Sequence, residues 1–248
     1  MNGKEQEALA ARLGVRVIRH DVVDSTMSCA LADPGLAPAL HLAVRQTAGR
    51  GRHGRPWESP AGNLHATIRW IEDAAPFPPG LLGAVQLEWA RAIEGLGGPA
   101  VRCKWPNDGW LDGAKWSGLL AVRPAQRSGE IHLGLGANLV ASPAAVAEPA
   151  THLERHWLGW PGEAVVAEAL LRAALGVLAD GPAGIPPRLA RWARYDALSP
   201  GEPLVVDLAG RRRIGSYGGV DEDGRLRLAT DAGEERITSG EVSRVRPL

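Results

Sequence analysis

A short segment at residues 49–55 carries the residue types best suited to bind an anion. It reads G-R-G-R-H-G-R, and Pro56 and Trp57 follow it directly. Glycine lets backbone amides approach a ligand closely, and the planar guanidinium group of arginine matches the oxygen atoms of carboxylates and phosphates. The chain has 28 Lys and Arg residues against 28 Asp and Glu residues, so this positive charge is local. The segment predicts a mobile cationic loop that closes over an anionic ligand.

The same glycines satisfy the dinucleotide-binding pattern G-x-G-x-x-G at Gly49, Gly51 and Gly54. That pattern binds a pyrophosphate only when its third glycine opens a helix. Pro56 and Pro60 prevent a useful helix there, because proline lacks an amide hydrogen and restricts the residue before it. The other interpretation is a disordered basic loop or a nucleic-acid-binding segment. Such segments are normally longer, repeated or set in a basic domain.

Four further motifs accompany this loop. Residues 24–26 read D-S-T, residues 104–108 read K-W-P-N-D, residues 115–120 read K-W-S-G-L-L, and residues 134–138 read G-L-G-A-N. In this order and spacing, the sequence resembles the biotin protein ligases over about residues 15–248. It departs from the family pattern at four positions, which we expect in the lining of the ligand pocket: Met27, Trp116, Ser117 and Ala137.

The composition is that of an ordinary globular protein, with 45% hydrophobic and 23% charged residues. Its two cysteines are too few for a disulfide framework or a zinc site. The N-terminus is too polar for a signal peptide, and no apolar run is long enough to cross a membrane. We therefore expect a cytoplasmic protein with no zinc, no haem, and no membrane or nucleic-acid partner.

Helix and strand patterns mix without a strict βαβ alternation, which predicts an α+β fold. Helical patterns lie at about residues 4–13, 26–32, 81–96, 163–178 and 186–192, and strand patterns at about 15–19, 42–45, 64–70, 101–104, 115–122 and 130–139. After residue 195 short strands and tight turns indicate a small β domain, in which we expect residues 211–213, R-R-R, to protect a hairpin edge. The resemblance implies a catalytic domain at 1–195, with a mixed sheet covered by helices on one face as in class II synthetases. It implies an SH3-like barrel at 196–248.

The resemblance also implies the reaction. The carboxylate of biotin attacks the α-phosphate of ATP and gives biotinyl-5′-AMP and pyrophosphate. A lysine of a biotin carboxyl carrier protein then takes the biotinyl group and releases AMP. Because the attacking group and the triphosphate are both anionic, fixed cations should provide most of the catalysis. The catalytic candidates are Lys115, Arg50 and Arg52.

The motifs assign the two ends of the ligand to different residues. The biotin-binding candidates are Ser25, Thr26, Met27, Gln46, Arg50, Gly51, Arg52, Lys115, Gly118 and Gly136. The ATP-binding candidates are Trp57, Lys104, Asn107, Asp108 and Asn138. Mg²⁺ is expected to enter with ATP near Asn107 and Asn138, held mostly by phosphate and water. Two alternatives stay open, a turn role for Asn107 beside Pro106 and a packing role for Trp57.

Two other functions compete with this one. A lipoate ligase of the same superfamily shares an activating lysine, but the arginine-glycine loop and the C-terminal β domain resemble the biotin branch. A catalytically silent biotin-binding or carrier-binding protein is disfavoured by the presence of Lys115, Arg50 and Arg52. The few residues before Val15 leave no room for an N-terminal DNA-binding domain, so we expect no repressor function. A monomer or a homodimer is expected.

Overall fold

The computed structural model describes residues 3–35, 37–72, 79–125, 127, 129–143, 148–208 and 210–244. The α-helices in these ranges are α1 (Gly3–Leu13), α2 (Thr26–Ala32), α3 (Leu81–Gly95), α4 (Glu163–Ala179), α5 (Ile185–Leu189) and α6 (Trp192–Tyr195). The strands are β1 (Arg16–Val23), β2 (Ala39–Gln46), β3 (Leu64–Ile71), β4 (Arg102–Lys104), β5 (Asp108–Leu111), β6 (Ala114–Val122), β7 (Glu130–Ala137), β8 (Pro203–Leu208), β9 (Arg211–Val220), β10 (Leu226–Thr230), β11 (Gly233–Ile237) and β12 (Glu241–Arg244). Short 3-10 turns span Arg52–Gly54, Glu154–His156 and Pro182–Gly184. None of the helices in the described ranges is both long and apolar enough to span a membrane.

The larger sheet has seven strands in the order β1-β2-β3-β7-β6-β5-β4. Strands β1 and β2 are parallel, and the other neighbours are antiparallel. The mixed sheet and its helices confirm the predicted α+β class. Two strands, β5 and β12, were not predicted from the sequence, and both are only four residues long.

One face of this sheet carries the main core. Gln86 of α3 donates a hydrogen bond to the Ser117 hydroxyl of β6 at 2.7 Å, so α3 covers the face on which Ser117 lies. The indole of Trp89 on α3 donates to the carbonyl of Leu170 at 2.8 Å and thereby joins α3 to α4. Strand side chains alternate between faces, so every second residue of β6, β7 and β3 meets this helical layer. The residues that do so are mostly fully buried leucine, isoleucine and alanine.

The short helix α2 lies on the opposite face. The Thr26 and Thr67 hydroxyls are 2.9 Å apart, and Thr67 points away from the helical layer because it alternates with the core residue Ile68. The expectation of helices on one face is therefore right for α3 and α4 and wrong for α2. Helix α2 begins where sequence reasoning placed it, because the Ser25 hydroxyl accepts a hydrogen bond from the Met27 amide as an N-cap.

The five C-terminal strands form an antiparallel sheet in the order β11-β10-β9-β8-β12. Strand β9 lies between β8 and β10, but its residues 211–213 pair only with β8, and the pairs with β10 begin at Ser216. In the described part of the chain these arginines therefore lie on an edge of the β8–β9 hairpin, as predicted, and the outermost strands of the sheet are β11 and β12. The sheet is joined to the rest of the chain through Trp105, whose indole donates to the Gly224 carbonyl at 2.9 Å.

Candidate active site

One cavity of about 680 Å³ lies on the α2 face of the large sheet. Every residue that the sequence assigned to the site lines it. These residues are Ser25, Thr26, Met27, Gln46, Arg50, Gly51, Arg52, Trp57, Lys104, Asn107, Asp108, Lys115, Gly118, Gly136 and Asn138. They come from α2, the ends of β2 and β4, the arginine-glycine loop, and β5, β6 and β7. The fold therefore brings together motifs that are more than 100 residues apart in sequence.

A β-bulge directs Lys115 into this cavity. Gly109 of β5 pairs with Ser117 of β6, but the next residue, Trp110, pairs with Lys115, so Trp116 has no partner on β5. Without the extra residue, Lys115 and Gly118 would point to opposite faces, because they are three positions apart. With it, both face the cavity, and a Cβ atom added to Gly118 would lie 3.4 Å from the Lys115 Nζ atom.

Two glycines keep the floor of the cavity free of side chains. Gly118 of β6 pairs with Gly136 of β7, and Gly118 also pairs with Asp108 of β5. The ring of Trp57 rests on this floor: a Cβ atom added to Gly136 would lie 2.7 Å from it. Any larger residue at position 136 would displace the ring. The centre of the Trp57 ring lies 5.8 Å from the Lys115 Nζ atom, which is a cation–π distance. The buried indole nitrogen of Trp57 has no hydrogen-bond partner among the described residues.

Neutral hydrogen-bonding groups form one end of the cavity. The Gln46 side-chain oxygen accepts from the Thr26 amide at 2.8 Å and from its hydroxyl at 3.1 Å. The Gln46 amide nitrogen donates to the Ser59 hydroxyl at 2.9 Å, and Thr67 contacts Thr26 from β3. This chain of hydroxyl and amide groups fixes the orientation of the Gln46 side chain. It suits a neutral ligand head that needs several donors and acceptors.

Charged groups form the other end, at the turn between β4 and β5. The Lys115 Nζ atom lies 2.7 Å from the Asp108 carboxylate, and the Lys104 Nζ atom lies 3.1 Å from the Glu148 carboxylate. Burial favours the neutral form of Glu148, but Lys104, with smaller contributions from Lys115 and Arg55, outweighs burial, so the pKa of Glu148 falls below its usual value. Four strand spacings of about 4.8 Å each separate β2, which carries Gln46, from β5, which carries Asp108.

The two asparagines at this end differ in their free hydrogen-bonding capacity. Asn107 donates to the Leu119 carbonyl at 2.6 Å and accepts from Arg52 at 3.2 Å. Asn138 donates to the Thr151 carbonyl at 3.1 Å, and its buried side-chain oxygen has no partner in the described part of the chain. Within that part, no three His, Cys, Asp or Glu side chains are grouped so as to hold a metal ion. Of the two, Asn138 has the oxygen that is free for a ligand.

The arginine-glycine loop is a compact hairpin over the cavity. The Trp57 amide donates to the Gly49 carbonyl at 2.8 Å, and the Gly51 amide donates to the Arg55 carbonyl at 2.8 Å. Arg50 donates to the Gly54 carbonyl within the loop at 3.0 Å and stays exposed. The loop therefore satisfies many of its own backbone groups.

Arg52 leaves the loop and joins two parts of the protein. Its guanidinium group donates to Asn107 at 3.2 Å and to the Gly240 carbonyl of the C-terminal region at 3.1 Å. Burial lowers the pKa of Arg52, while Asp108 and Glu241 act in the opposite direction. Arg55 forms an ion pair with Glu241 at the start of β12. The loop is thus fastened to the C-terminal sheet.

Three of the four departures from the family pattern lie outside the cavity, which contradicts the expectation that they line it. Trp116 is fully buried against Trp89, with ring centroids 5.9 Å apart, and Ser117 accepts the hydrogen bond from α3. Ala137 pairs with Ser117 and faces the same helical layer. Met27 alone lines the cavity, where its Cε atom lies above Gly134.

Several cavity residues were not found by sequence reasoning. Thr67 and Glu148 complete the hydrogen-bonded and ion-paired ends, and Arg212 reaches the cavity from β9 together with other residues of the C-terminal sheet. The alternation of side chains along β3 places Thr67 on one face of the sheet, but only the packing of α2 shows which of the two faces that is. Glu148 and Arg212 belong to no motif, and their places depend on tertiary packing.

Comparison with known proteins agrees with the geometry. The model of the biotin/lipoate A/B protein ligase family matches residues 21–138, and that of the biotin protein ligase C terminal domain matches residues 204–245. A biotin–[acetyl-CoA-carboxylase] ligase of Paracoccus denitrificans is 35% identical over 238 residues, which cover 88% of this chain and 96% of that protein. The bifunctional ligase/repressor BirA of Escherichia coli is 29% identical, over 82% of this chain and 65% of BirA. The structure of a biotin protein ligase from Aquifex aeolicus in complex with biotin and ATP has a TM-score of 0.75 at 26% identity and covers 93% of this chain and 99% of that one.

Proposed function

The chain belongs to the biotin protein ligase family, and from this we propose that it is a biotin–[acetyl-CoA-carboxylase] ligase. It uses ATP, with its Mg²⁺, to activate biotin as biotinyl-5′-AMP. It then transfers the biotinyl group to a lysine of a biotin carboxyl carrier protein. Pyrophosphate leaves in the first step and AMP in the second.

This proposal rests on one observation: cations from separate elements converge on the cavity above a floor of glycines. Lys115 comes from β6, Lys104 from β4, and Arg52 from the loop, and all three line the cavity. Gly118 and Gly136 add no side chain to the floor between the neutral end and the charged end, where the Trp57 ring rests. A ligand that is neutral at one end and carries several anionic groups at the other fits this arrangement. Biotinyl-AMP is such a ligand.

Each residue has a distinct part in adenylate formation. Thr26, Gln46 and Ser25 bind the ureido ring of biotin, because a desolvated ureido group needs partners for its donors and acceptor. Lys115 lies between the biotin carboxylate and the α-phosphate and offsets the repulsion between them as the carboxylate oxygen attacks phosphorus. The bond from phosphorus to the pyrophosphate oxygen breaks. Lys104, Asn107 and Asn138 bind the triphosphate and its Mg²⁺.

The loop and the C-terminal sheet act in the second half of the reaction. Arg50 and Arg52 hold the adenylate until the amine of the carrier lysine attacks its acyl carbon. We further propose that residues 1–195 form the catalytic domain and residues 196–248 an SH3-like barrel, and that the enzyme works in the cytoplasm. The contacts of Arg52 with Gly240 and of Arg55 with Glu241 support a shared role of loop and barrel, since they fasten the loop to β12.

A direct assay tests the proposal. Purified protein is incubated with ATP and either biotin or lipoate, and the small molecules are analysed by mass spectrometry. We expect biotinyl-AMP and pyrophosphate with biotin and no adenylate with lipoate. Addition of a carrier domain should then consume the adenylate and increase the carrier mass by one biotinyl group. An adenylate formed only from lipoate, or none at all from a folded protein, would overturn the proposal.

A further inference from the structure

Helix α2 carries residues at the neutral end of the cavity, yet it is only seven residues long. Its N-cap Ser25 and its first two residues, Thr26 and Met27, line the cavity. An isolated helix of this length is unstable in water, because the cost of nucleation exceeds the gain from so few hydrogen bonds. Contacts with the rest of the protein must therefore fix the position of α2, and with it the groups that face the ligand.

The C-terminal end of α2 is held by an arginine from the connection between β6 and β7. Arg127 donates hydrogen bonds to the Leu31 carbonyl at 2.8 Å and to the Asp33 carbonyl at 2.9 Å. The last carbonyl groups of a helix have no partner within the helix, and the helix dipole favours a cation beside them. The guanidinium group of Arg127 thus satisfies two of these carbonyls and supplies the favourable charge.

Arg127 is itself oriented by the sheet. Its Nη1 atom lies 3.4 Å from the carboxylate of Glu130 at the start of β7, and the same carboxylate lies 2.8 Å from the Nε2 atom of His132. Glu130 and His132 are both buried. The fully buried Arg69 of β3 also donates to the Asp33 carbonyl, at 3.3 Å. The end of α2 is therefore fastened to two strands of the large sheet.

We propose that Arg127 is a positioning residue for biotin binding. This inference rests on the proposed function, because it concerns the end of the cavity that binds the ureido ring. Arg127 does not line the cavity, and Leu31 lies five residues after Thr26, about 7.5 Å along the helix axis at ~1.5 Å per residue. Arg127 acts through the helix: it holds the C-terminal end of α2, and α2 places Thr26 against Gln46. The charged end of the cavity lies on β4, β5 and β6, so biotin and not ATP should respond to this contact.

The first test measures biotin binding without ATP by calorimetry. Arg127→Met keeps the length of the side chain and removes its donors and charge, so we expect biotin to bind about fivefold or more weakly. Arg127→Lys keeps the charge and can donate to one carbonyl, so its affinity should lie between those of the wild type and Arg127→Met. The matched control is Arg172→Met, which removes an arginine that also donates two hydrogen bonds, to Glu168 on α4, at 2.9 and 3.1 Å. This control should bind biotin as the wild type does.

Two results of this test would overturn the proposal. One is an unchanged biotin affinity in a folded Arg127→Met variant. The other is an equal loss of affinity in Arg127→Met and Arg172→Met, because the loss would then reflect any missing surface ion pair and not the contact with α2.

The second test separates binding from chemistry. In steady-state formation of biotinyl-AMP, Arg127→Met should raise the KM for biotin, while kcat and the KM for ATP stay within about twofold of the wild type. Amide exchange should become faster in α2 and stay unchanged in α3, because only α2 loses a contact. A lower kcat at an unchanged KM for biotin, or an equal rise of exchange in both helices, would contradict the positioning role. A wild-type protein that neither binds biotin nor forms biotinyl-AMP refutes the proposed function, and this inference with it.

Discussion

Replacement of Lys115 by alanine should reduce adenylate formation more than the loss of one cation alone would. Removal of one preorganised group at developing charge costs about 3 kcal/mol. The substitution also leaves Asp108 without its ion-pair partner, at a side-chain exposure of 16%. A phosphate oxygen that met the ammonium ion would lie about 5 Å from this carboxylate, where repulsion is roughly 3 kcal/mol at an effective dielectric constant of ~20. Together these effects predict at least about a thousandfold loss in the rate of the chemical step.

The assay is single-turnover formation of biotinyl-AMP, with circular dichroism and thermal unfolding as checks on the fold. A matched variant separates the two effects. Lys115→Ala combined with Asp108→Asn removes the unpaired carboxylate and should be about tenfold or more faster than Lys115→Ala alone, because part of the repulsion is gone. If the double variant is no faster, the repulsion is not part of the loss. A folded Lys115→Ala variant with the wild-type rate would remove Lys115 from the mechanism.

Three further predictions concern the loop and the folded state. Arg52→Gly should still form biotinyl-AMP but release it, so that carrier labelling falls and labelling of an added bystander protein rises; unchanged bystander labelling would refute retention by Arg52. The loop from Thr47 to Asn63 should gain protection from amide exchange when biotin or its adenylate binds, because the anionic ligand adds contacts to Arg50 and Arg52 that the loop lacks without it; equal exchange with and without ligand would refute this. Burial raises the pKa of Asp196 to about 6, although hydrogen bonds from Tyr217, the Leu198 amide and Trp192 act in the opposite direction. Between pH ~4 and 6 the folded state therefore binds more protons than the unfolded chain does. The free energy of unfolding should therefore fall as pH rises through that range, and the slope should be flatter in Asp196→Asn; equal slopes would show that Asp196 is not the cause.

Local sequence signals predicted most of the secondary structure near the site. Ser25 is the N-cap of α2 because its hydroxyl can accept an amide hydrogen bond, and that property is visible in the sequence. Strand β5 has no such signal. It occupies Asp108–Leu111, immediately after the Pro106 turn, and only its pairing with β4 and β6 makes it a strand. The central position of β9 is likewise set by strand order, which the short repeated hairpins of the C-terminal region do not specify.

The sequence motifs predicted which residues line the site. They did not predict the contacts that these residues make with one another and with the rest of the chain. Motif residues such as Lys104 and Asn107 line the cavity as expected. Their partners come from other parts of the chain, since Lys104 pairs with Glu148 and Asn107 with Arg52. Ion pairs of this kind depend on which loops the fold brings together. A motif records which residues are needed and says little about what holds them in place.

The spacing between Lys115 and Gly118 shows how a motif can also encode geometry. Both residues face the cavity, yet a regular strand would place residues three positions apart on opposite faces. The motif therefore requires one extra residue between them, and the bulge supplies it at Trp116. Trp116 fills the core beside Trp89, which stabilises the irregular strand from the side opposite the ligand. The direction of the catalytic candidate thus depends on a residue that never touches the cavity, and Trp116→Gly should weaken adenylate formation without removing any group that contacts substrate.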